Sequence, residues 1–377
     1  MRCRVRSGAK KDLGAAVLER YRDWEIEKIW SDQKTTELWL DVARSAAWAQ
    51  GVDRSIGLNV LLLTERRLDL EREIGHEVIA MGQAVLEQDP SAGKWWMLGI
   101  ASQDLVDNAQ SQQINESSRL ISERVNSVIG VLQGALYIHR DQPWPARTHG
   151  RLAEPINFGH VLNLWIDALV WADCTLDSAR CDNAVGRMRG PVGMRVMRQV
   201  FERDALKRLS LRPVDVCSQI IPRHWRNTWA DALVHTSNAC ELVATEIRLN
   251  CIEGVDLMTS RGSSSASMPH KRGQNPVVAE KICGLARLVR GHRAALAEGT
   301  ASWWQRDMSS SSVERIVWPD MCHVVMHQLK CLERVLIDLE IHFERAKSSL
   351  GPTTWSDMYK RQVGGESYFD LYKEMEK

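Results

Sequence analysis

Apolar side chains recur every three or four residues on both sides of one polar loop, and this spacing constrains the fold more than any other feature of the chain. The repeat occupies Trp225, Trp229, Ala232, Leu233, Thr236, Cys240, Val243 and Ile247 before the loop, and Ile282, Leu285, Val289, His292 and Leu296 after it. This spacing places the apolar residues on one face of a helix. We therefore predict long helices on both sides of the loop. Similar repeats predict a long helix that runs to Trp144 and a last amphipathic helix that includes Leu339.

Composition excludes several classes of protein. With 49 Lys+Arg and 48 Asp+Glu the formal net charge is +1, so no bulk electrostatic attraction to nucleic acid or to a membrane surface is expected. The sequence contains no run of about twenty apolar residues, the length that a membrane-spanning helix needs. The nine cysteines contain no Cys-x-x-Cys pair and no metal-ligand spacing. We therefore predict reduced thiols, a cytoplasmic location and no bound metal.

The loop at residues 261–276 reads Arg-Gly-Ser-Ser-Ser-Ala-Ser-Met-Pro-His-Lys-Arg-Gly-Gln-Asn-Pro. Its glycines, serines and prolines disfavour a helix. Ordinary linkers do not interleave a Met-Pro pair with a histidine, a lysine and an arginine. The order resembles the signature loop of the fumarase/aspartase superfamily. The His-Lys-Arg variant, together with Gly-Leu-Ala-Arg-Leu-Val-Arg-Gly at 284–291, resembles the adenylosuccinate lyase family in particular.

The resemblance covers roughly residues 18–345 and implies an all-α fold. A small helical N-terminal domain is expected at 1–104 and a central bundle of long helices at 105–344, followed by a shortened C-terminal region at 345–377. The family also implies a homotetramer in which each site is shared between subunits. Its reaction would be the elimination of fumarate from an N-succinyl nucleotide, such as adenylosuccinate or its imidazole carboxamide ribotide counterpart in purine biosynthesis, with no cofactor.

Four residues are implied to carry the chemistry. Ser265 would be the base, and Lys271 would neutralise the substrate carboxylate as charge develops on it. His149 would be the acid that protonates the departing nitrogen, because imidazole titrates near neutral pH. Glu280 would pair with that histidine and fix its tautomer.

The identity of the basic serine depends on how the loop is counted. Counting back from Met268 gives Ser265, whereas counting forward from Gly262 gives Ser263. We favour Ser265, because the Met-Pro-His-Lys segment is the better anchor.

Ten further residues are implied to bind substrate: Arg20, Tyr21, His76, Ser102, Thr148, Gln219, Asn275, Arg306, Ser311 and Arg315. The arginines can form bidentate forks to a phosphate, and the serine and amide side chains can donate hydrogen bonds to carboxylates. Arg223 is a weaker ionic candidate for which a surface position stays open.

Four positions depart from the family pattern and keep other functions open. Met97 and Trp304 stand where relatives carry histidine, Ala101 where they carry threonine, and Gln305 where they carry glutamate. These changes, with the short C-terminus, could indicate a specialised relative that releases fumarate from another aspartate adduct. A third interpretation is a catalytically silent homologue that binds a nucleotide.

Overall fold

The computed structural model describes residues 19–52, 57–260 and 275–350, and these are mainly helical, which confirms the predicted all-α class. The helices are α1 (Trp24–Trp30), α2 (Asp32–Ala49), α3 (Val60–Ile74), α4 (Glu77–Gln88), α5 (Ser102–His139), α6 (Phe158–Asn183), α7 (Gln199–Arg208), α8 (Arg223–Asn250), α9 (Val277–Glu298), α10 (Ser309–Ile337) and α11 (Phe343–Ser348). Short 3-10 helices occupy Glu19–Tyr21, Pro90–Lys94 and Gly190–Val192. Within these described ranges no helix is long and apolar enough to cross a membrane.

Within the described part of the chain, three small sheets lie between the helices. β1 (Pro143–Thr148) and β2 (Arg151–Asn157) form an antiparallel hairpin. β3 (Val185–Gly186) pairs in parallel with β4 (Arg212–Pro213), and β5 (Met258–Ser260) pairs antiparallel with β6 (Leu339–Ile341). Two predicted helix ends were therefore wrong. The helix predicted to reach Trp144 ends at His139, because the two prolines favour the extended β1 strand, and Leu339 belongs to β6 rather than to α10.

The chain divides into two compact units. Among the described residues, the first contains 19–52, 57–123, 174–236 and 287–327, and the second contains 124–173, 237–260, 275–286 and 328–350. Five helices, α5, α6, α8, α9 and α10, contribute residues to both units. The domain limits predicted at 104/105 and 344/345 stay predictions.

In the first unit, local capping determines where the helices begin and end. The side chain of Asn59 accepts a hydrogen bond from the backbone of Leu62 and caps α3. Gly75 ends α3 in the left-handed region at φ 72°, and α4 begins two residues later. Helices α3 and α4 thus form an antiparallel pair, whose buried residues belong to one core with those of α2 and α7. Packing of this pair therefore fixes the position of the first turn of α4.

In the second unit, aromatic rings hold the hairpin. Trp144 of β1 contacts Phe158 at the start of α6, with ring centroids 4.7 Å apart. Phe158 in turn packs edge-on against Phe343 of α11 and against Trp165. Trp165 donates a 2.7 Å hydrogen bond to Glu246 of α8, which satisfies its indole N–H. The base of the hairpin is therefore anchored in the core, whereas its turn projects from it.

Candidate functional site

Six of the residues predicted to bind substrate line one cavity of about 290 Å³ in the first unit. They are His76, Ser102, Gln219, Arg306, Ser311 and Arg315. They come from distant parts of the sequence, so their convergence is a result of the fold rather than of the spacing. We call this space the anion cavity, for the reasons that follow.

Three helices begin at the anion cavity. Glu77 is the first residue of α4, Ser102 is the first residue of α5, and Ser311 lies in the first turn of α10. The backbone N–H groups of a helix's first turn have no partner within the helix, and the helix dipole makes this end positive. Three such ends around one space favour an anion there.

The side chain of His76 caps α4. Its Nδ1 accepts a hydrogen bond from the backbone of Ile79 at 3.4 Å, so the neutral ring carries its proton on Nε2. The histidine is exposed, and its Nε2–H is the donor it can offer to a ligand. The cap therefore fixes the orientation of a predicted binding residue.

Two arginines give the cavity its positive charge. Arg306 donates from Nη2 to the hydroxyl of Ser311 at 2.8 Å, and its buried Nη1 has no hydrogen-bond partner among the described residues. Burial lowers the pKa of Arg306, which shows that its charge lacks full solvation. Arg315 donates to Glu77 at 2.5 Å and remains about half exposed. Arg306 is therefore the cation whose hydrogen-bonding capacity is least satisfied.

Hydrogen bonds from both the side chain and the backbone of Gln219 hold its loop in place. The Gln219 side chain donates to the carbonyl of Pro191 at 2.7 Å, and its backbone N–H donates to Gln305 at 3.2 Å. Its own carbonyl accepts from Arg187. Gly193, at φ 80°, packs so closely against the backbone at Cys217 that a Cβ would collide with its carbonyl. The wall of the cavity is thus rigid at Gln219.

A buried network of charges supports the cavity wall. Arg187 lies 3.0 Å from Asp104, and Arg223 lies 3.2 Å from Asp107 and 2.6 Å from Glu314. All these side chains are almost completely buried. Arg223 had been left open as a surface residue, and its burial at the start of α8 corrects that interpretation. It joins α5 to Glu314 in the cavity wall.

The network's carboxylates have pKa values shifted in opposite directions. Burial raises the pKa of Asp104 and of Glu314, although Arg187 and Arg223 respectively oppose it. Burial would also raise the pKa of Asp107, but the surrounding arginines outweigh it and lower that pKa. Among the three carboxyl groups, the arginines therefore stabilise the charged form most strongly at Asp107. With Arg226, whose pKa burial lowers to about 10, the network holds three arginines against three carboxyl groups, and Arg306 stands outside this balance.

Sequence reasoning missed several residues of this wall. Gln103, Asp107 and Gln110 follow one another at spacings of four and three on α5, so they share one helix face. Gln103 donates to Asp107 at 2.9 Å, and Gln103 and Gln110 both line the cavity. A polar row at helical spacing was the available signal for a buried polar face. Glu314, three residues after Ser311, carried the same signal on α10.

The remaining predicted residues lie on other elements. Arg20 is exposed in the first 3-10 helix, and the ring of Tyr21 packs edge-on against His327 at 5.2 Å. In the second unit, Thr148 ends β1 and His149 occupies the hairpin turn, and both are exposed. His149 has φ 54°, in the left-handed region that residues other than glycine seldom adopt.

Two further predicted site residues lie at the start of α9. Asn275 precedes the helix, and its carbonyl accepts from Val277 at 2.8 Å. Glu280 is exposed in the first turn, where a carboxylate is favoured by the helix dipole. The pairing of Glu280 with His149 stays a prediction. Ser265, Ser263 and Lys271 lie outside the described residues. No group of three or more histidine, cysteine or acidic side chains in the part of the chain that the structure describes could hold a metal ion.

Comparison with known proteins assigns the chain to a family. The model of the family described as Lyase matches residues 66–291. Adenylosuccinate lyase of Synechocystis sp. is 32% identical over 348 residues, which cover 89% of this chain and 80% of that protein. The enzyme of the same name from Bacillus subtilis is 28% identical, and the match covers 89% of this chain and 81% of that protein.

Solved structures show the same fold at lower identity. The fumarate lyase from Mesorhizobium sp. BNC1 superimposes with a TM-score of 0.75 at 21% identity, over 89% of this chain and 79% of that one. The 3-carboxy-cis,cis-muconate lactonizing enzyme from Pseudomonas putida superimposes with a TM-score of 0.74 at 20% identity, over 88% of this chain and 78% of that one. From the family match and the curated relatives together, the chain belongs to the lyase family of the fumarase/aspartase superfamily, alongside adenylosuccinate lyases, and is a fumarate-releasing enzyme.

Proposed function

We propose that this lyase eliminates fumarate from an N-succinyl nucleotide of the adenylosuccinate or imidazole carboxamide ribotide type. The observation that supports it best is the anion cavity, where three helix N-termini meet Arg306 and Arg315. A phosphate or carboxylate is the ligand that such a cavity favours. Adenylosuccinate, the compound named in the relatives, carries both groups.

Each binding residue has a role that its position supports. Arg306 offers its unpaired Nη1 to a substrate oxygen, and Ser311 holds its other terminal nitrogen. Arg315 is kept near the cavity by Glu77. Ser102, the first residue of α5, adds a hydroxyl at the N-terminal end of that helix, where the dipole favours an anion. Because the wall is already hydrogen-bonded within the chain, little ordering is needed when the anion binds.

The chemistry would follow the family pattern. A loop serine, Ser265 by preference and Ser263 otherwise, removes the proton from the carbon beside a substrate carboxylate. Lys271 stabilises the extra negative charge on that carboxylate. The electrons of the broken C–H bond form the new C=C bond, the C–N bond breaks, and His149 gives its proton to the departing nitrogen. Fumarate and the nucleotide amine leave, with no external cofactor in the balance.

A homotetramer with shared sites is part of this proposal. Along α6 and α8 of the second unit, large apolar side chains are about half exposed: Leu164, Val170, Trp171, Leu242 and Leu249. Monomeric proteins seldom leave such rows uncovered. Another copy of the same chain, in the cytoplasm, would cover them. We retain the predicted division into an N-terminal domain, a central bundle and a short C-terminal region as the architecture of each subunit.

One observation favours a second substrate class. Ala101, where relatives carry threonine, lies in the wall of the anion cavity. Alanine in place of threonine lacks the hydroxyl group, and with it a hydrogen-bond donor and acceptor at the substrate. A different aspartate adduct, with one polar group fewer or a bulkier apolar group, would fit this change.

The test is fumarate release followed by ultraviolet absorbance, with adenylosuccinate and the imidazole carboxamide ribotide compound in parallel assays. Turnover of either is expected, and Ser265→Ala should abolish it while Ser263→Ala leaves most of it. The reverse ranking would assign the base to Ser263. If neither compound releases fumarate although the protein binds them, the proposal fails and other aspartate adducts are to be screened.

A further inference from the structure

Beside the anion cavity, the first unit contains a second cavity of about 330 Å³, which we call the indole chamber. The rings of Trp30, Trp39 and Trp318 line it. It shares Glu77, Val106, Gln110, Glu314 and Arg315 with the anion cavity, so these five residues form the partition between the two spaces. A volume of this size can hold a small organic molecule.

Three polar atoms in the walls of the indole chamber are buried without a hydrogen-bond partner among the described residues. They are Oε1 of Gln110, Nε1 of Trp318 and Nε of Arg67. Trp318 and Arg67 are only 1% and 2% exposed. An unpaired buried donor or acceptor costs about 1–3 kcal/mol, and such atoms are few in native proteins. Three around one space indicate an occupant that would pair with them.

The ion pairs of the chamber favour a neutral occupant. Arg67 binds Asp32 at 2.7 Å and Glu71 at 3.4 Å. Arg315 binds Glu77, and Glu314 is held by Arg223. Every carboxylate in the wall therefore has an arginine partner, and both arginines are paired. A neutral ligand leaves these ion pairs intact, whereas an ion would have to break one.

The shape and chemistry of the walls specify the ligand further. Arg67 stacks over Trp39 at 5.3 Å, and Trp318 packs edge-on against Trp229. Flat rings are matched by a flat ligand. The two unpaired N–H donors would pair with acceptors on the ligand, and the unpaired Gln110 oxygen would pair with an N–H group of the ligand. The last torsion of a glutamine is soft, so this oxygen can turn toward either cavity.

We propose that the indole chamber binds a neutral, planar amino-heterocycle of the adenine type, separately from the substrate anion. Gln110 accepts a hydrogen bond from its amino group, and Trp318 donates to a ring nitrogen. The partition couples the two spaces, because Arg315 and Glu314 contribute to both walls. Occupation of the chamber therefore changes the affinity of the anion cavity.

Calorimetric titration of the full-length protein with adenine tests this proposal. One adenine per chain is expected in addition to any nucleotide bound at the anion cavity. Gln110→Leu and Trp318→Phe should each weaken adenine binding about tenfold, since each deletes one hydrogen bond and leaves most of the packing in place. Gln112→Leu is the matched control, because it lies two residues further along α5, outside the indole chamber.

Three results would overturn the proposal. The first is no adenine binding to the wild-type protein, and the second is binding that Gln110→Leu and Gln112→Leu weaken equally. The third is a crystal structure grown with adenine in which only ordered waters pair the three buried atoms. None of these results depends on fumarate release, so this proposal and the proposed function can fail separately. The coupling predicts in addition that saturating adenine changes KM for the lyase substrate, an effect that Trp318→Phe reduces.

Discussion

The anion cavity and the β1–β2 turn differ in how firmly the chain holds their predicted functional residues. In the cavity, Arg306, Gln219 and Glu314 are each fixed by hydrogen bonds or ion pairs to side chains or loops of the same unit. At the turn, His149 is exposed, with a left-handed backbone and Gly150 beside it. Its neighbour Arg147 reaches across the turn to the carbonyl of Gly150 at 3.4 Å.

Under the proposed function, this difference separates substrate binding in the cavity from proton transfer at the turn. A preformed anion cavity needs little reorganisation to hold a phosphate or carboxylate, so it can act within one chain. An acid on a projecting turn needs further contacts to be oriented, and the proposed homotetramer would supply them. Variants of the turn should therefore affect turnover, whereas variants of the wall should affect affinity and stability.

The largest effect is expected at the turn. His149→Gln should lower kcat about a thousandfold, because general acid catalysis contributes roughly 10²–10⁴. KM should change less than threefold, since the anion cavity is untouched. Fumarate release under saturating and limiting substrate separates the two constants. Arg151→Gln, at the exposed position that pairs with Thr148 in the hairpin, is the control for damage to the hairpin. A large rise in KM for His149→Gln would contradict the division between turn and wall.

Much of the fold could be predicted from sequence because helical periodicity is a local signal. Helices α8 and α9 appear where the apolar repeat placed them, and so does α10 except at Leu339. The hairpin was missed since a strand of six residues that contains Pro143 and Pro145 has no alternation to detect. Tertiary pairing with β2 decides its conformation.

The candidate site was predictable only in part, for a different reason. The motif residues His76, Ser102, Arg306 and Arg315 could be proposed because they stand in recognisable blocks, and the fold brings them to one cavity. Arg223 could not be placed, since burial of an arginine depends on partners more than ninety positions away, Asp107 and Glu314. Gln110 matched no motif, and only the three-dimensional partition gives it a role.

The second prediction concerns the network beneath the wall. Asp107→Asn should destabilise the protein by about 3 kcal/mol, because Arg223 and Arg226 would keep their charges without their buried anion. Urea unfolding measures the loss. Asp177→Asn breaks an exposed ion pair with Arg180 and should cost less than about 0.5 kcal/mol. Equal losses in the two variants would show that the wall is no firmer than the surface.

The third prediction addresses the anion itself. Arg306→Gln should lower kcat/KM about a hundredfold, mainly through KM, because it removes the least satisfied cation of the cavity. The kcat/KM of Arg306→Lys should lie between the values of Arg306→Gln and the wild type. Lysine keeps the positive charge but cannot form the two parallel hydrogen bonds of a guanidinium group. Arg203→Gln, on the exposed side of α7, is the control. A fall confined to kcat would place Arg306 with the chemistry rather than with binding.

The smallest effect is a pH dependence of the first unit, caused by its buried His323 on α10. Burial lowers the pKa of His323 from 6.5 to about 4, and Asp23 only partly opposes this. The backbone N–H of Asp23 donates to Nδ1 at 3.0 Å, a hydrogen bond that protonation of this nitrogen would break. Glu27 lies 3.4 Å from the other ring nitrogen, where its negative charge favours the charged form, whereas the charge of Arg22 adds to the effect of burial and lowers the pKa further.

Because the folded state prefers neutral His323, the stability that depends on it is complete above about pH 6.5 and is lost as the pH falls toward 4. Between pH 7 and pH 5 the loss from this residue should be roughly 2 kcal/mol. His323→Asn keeps an acceptor for Asp23 and cannot titrate, so the difference in urea stability between the two pH values should shrink by that amount. His235→Asn, on the exposed side of α8, should leave the difference unchanged. If His323→Asn and the wild type lose stability in parallel, the histidine is not held neutral, and Glu27 rather than burial governs its charge.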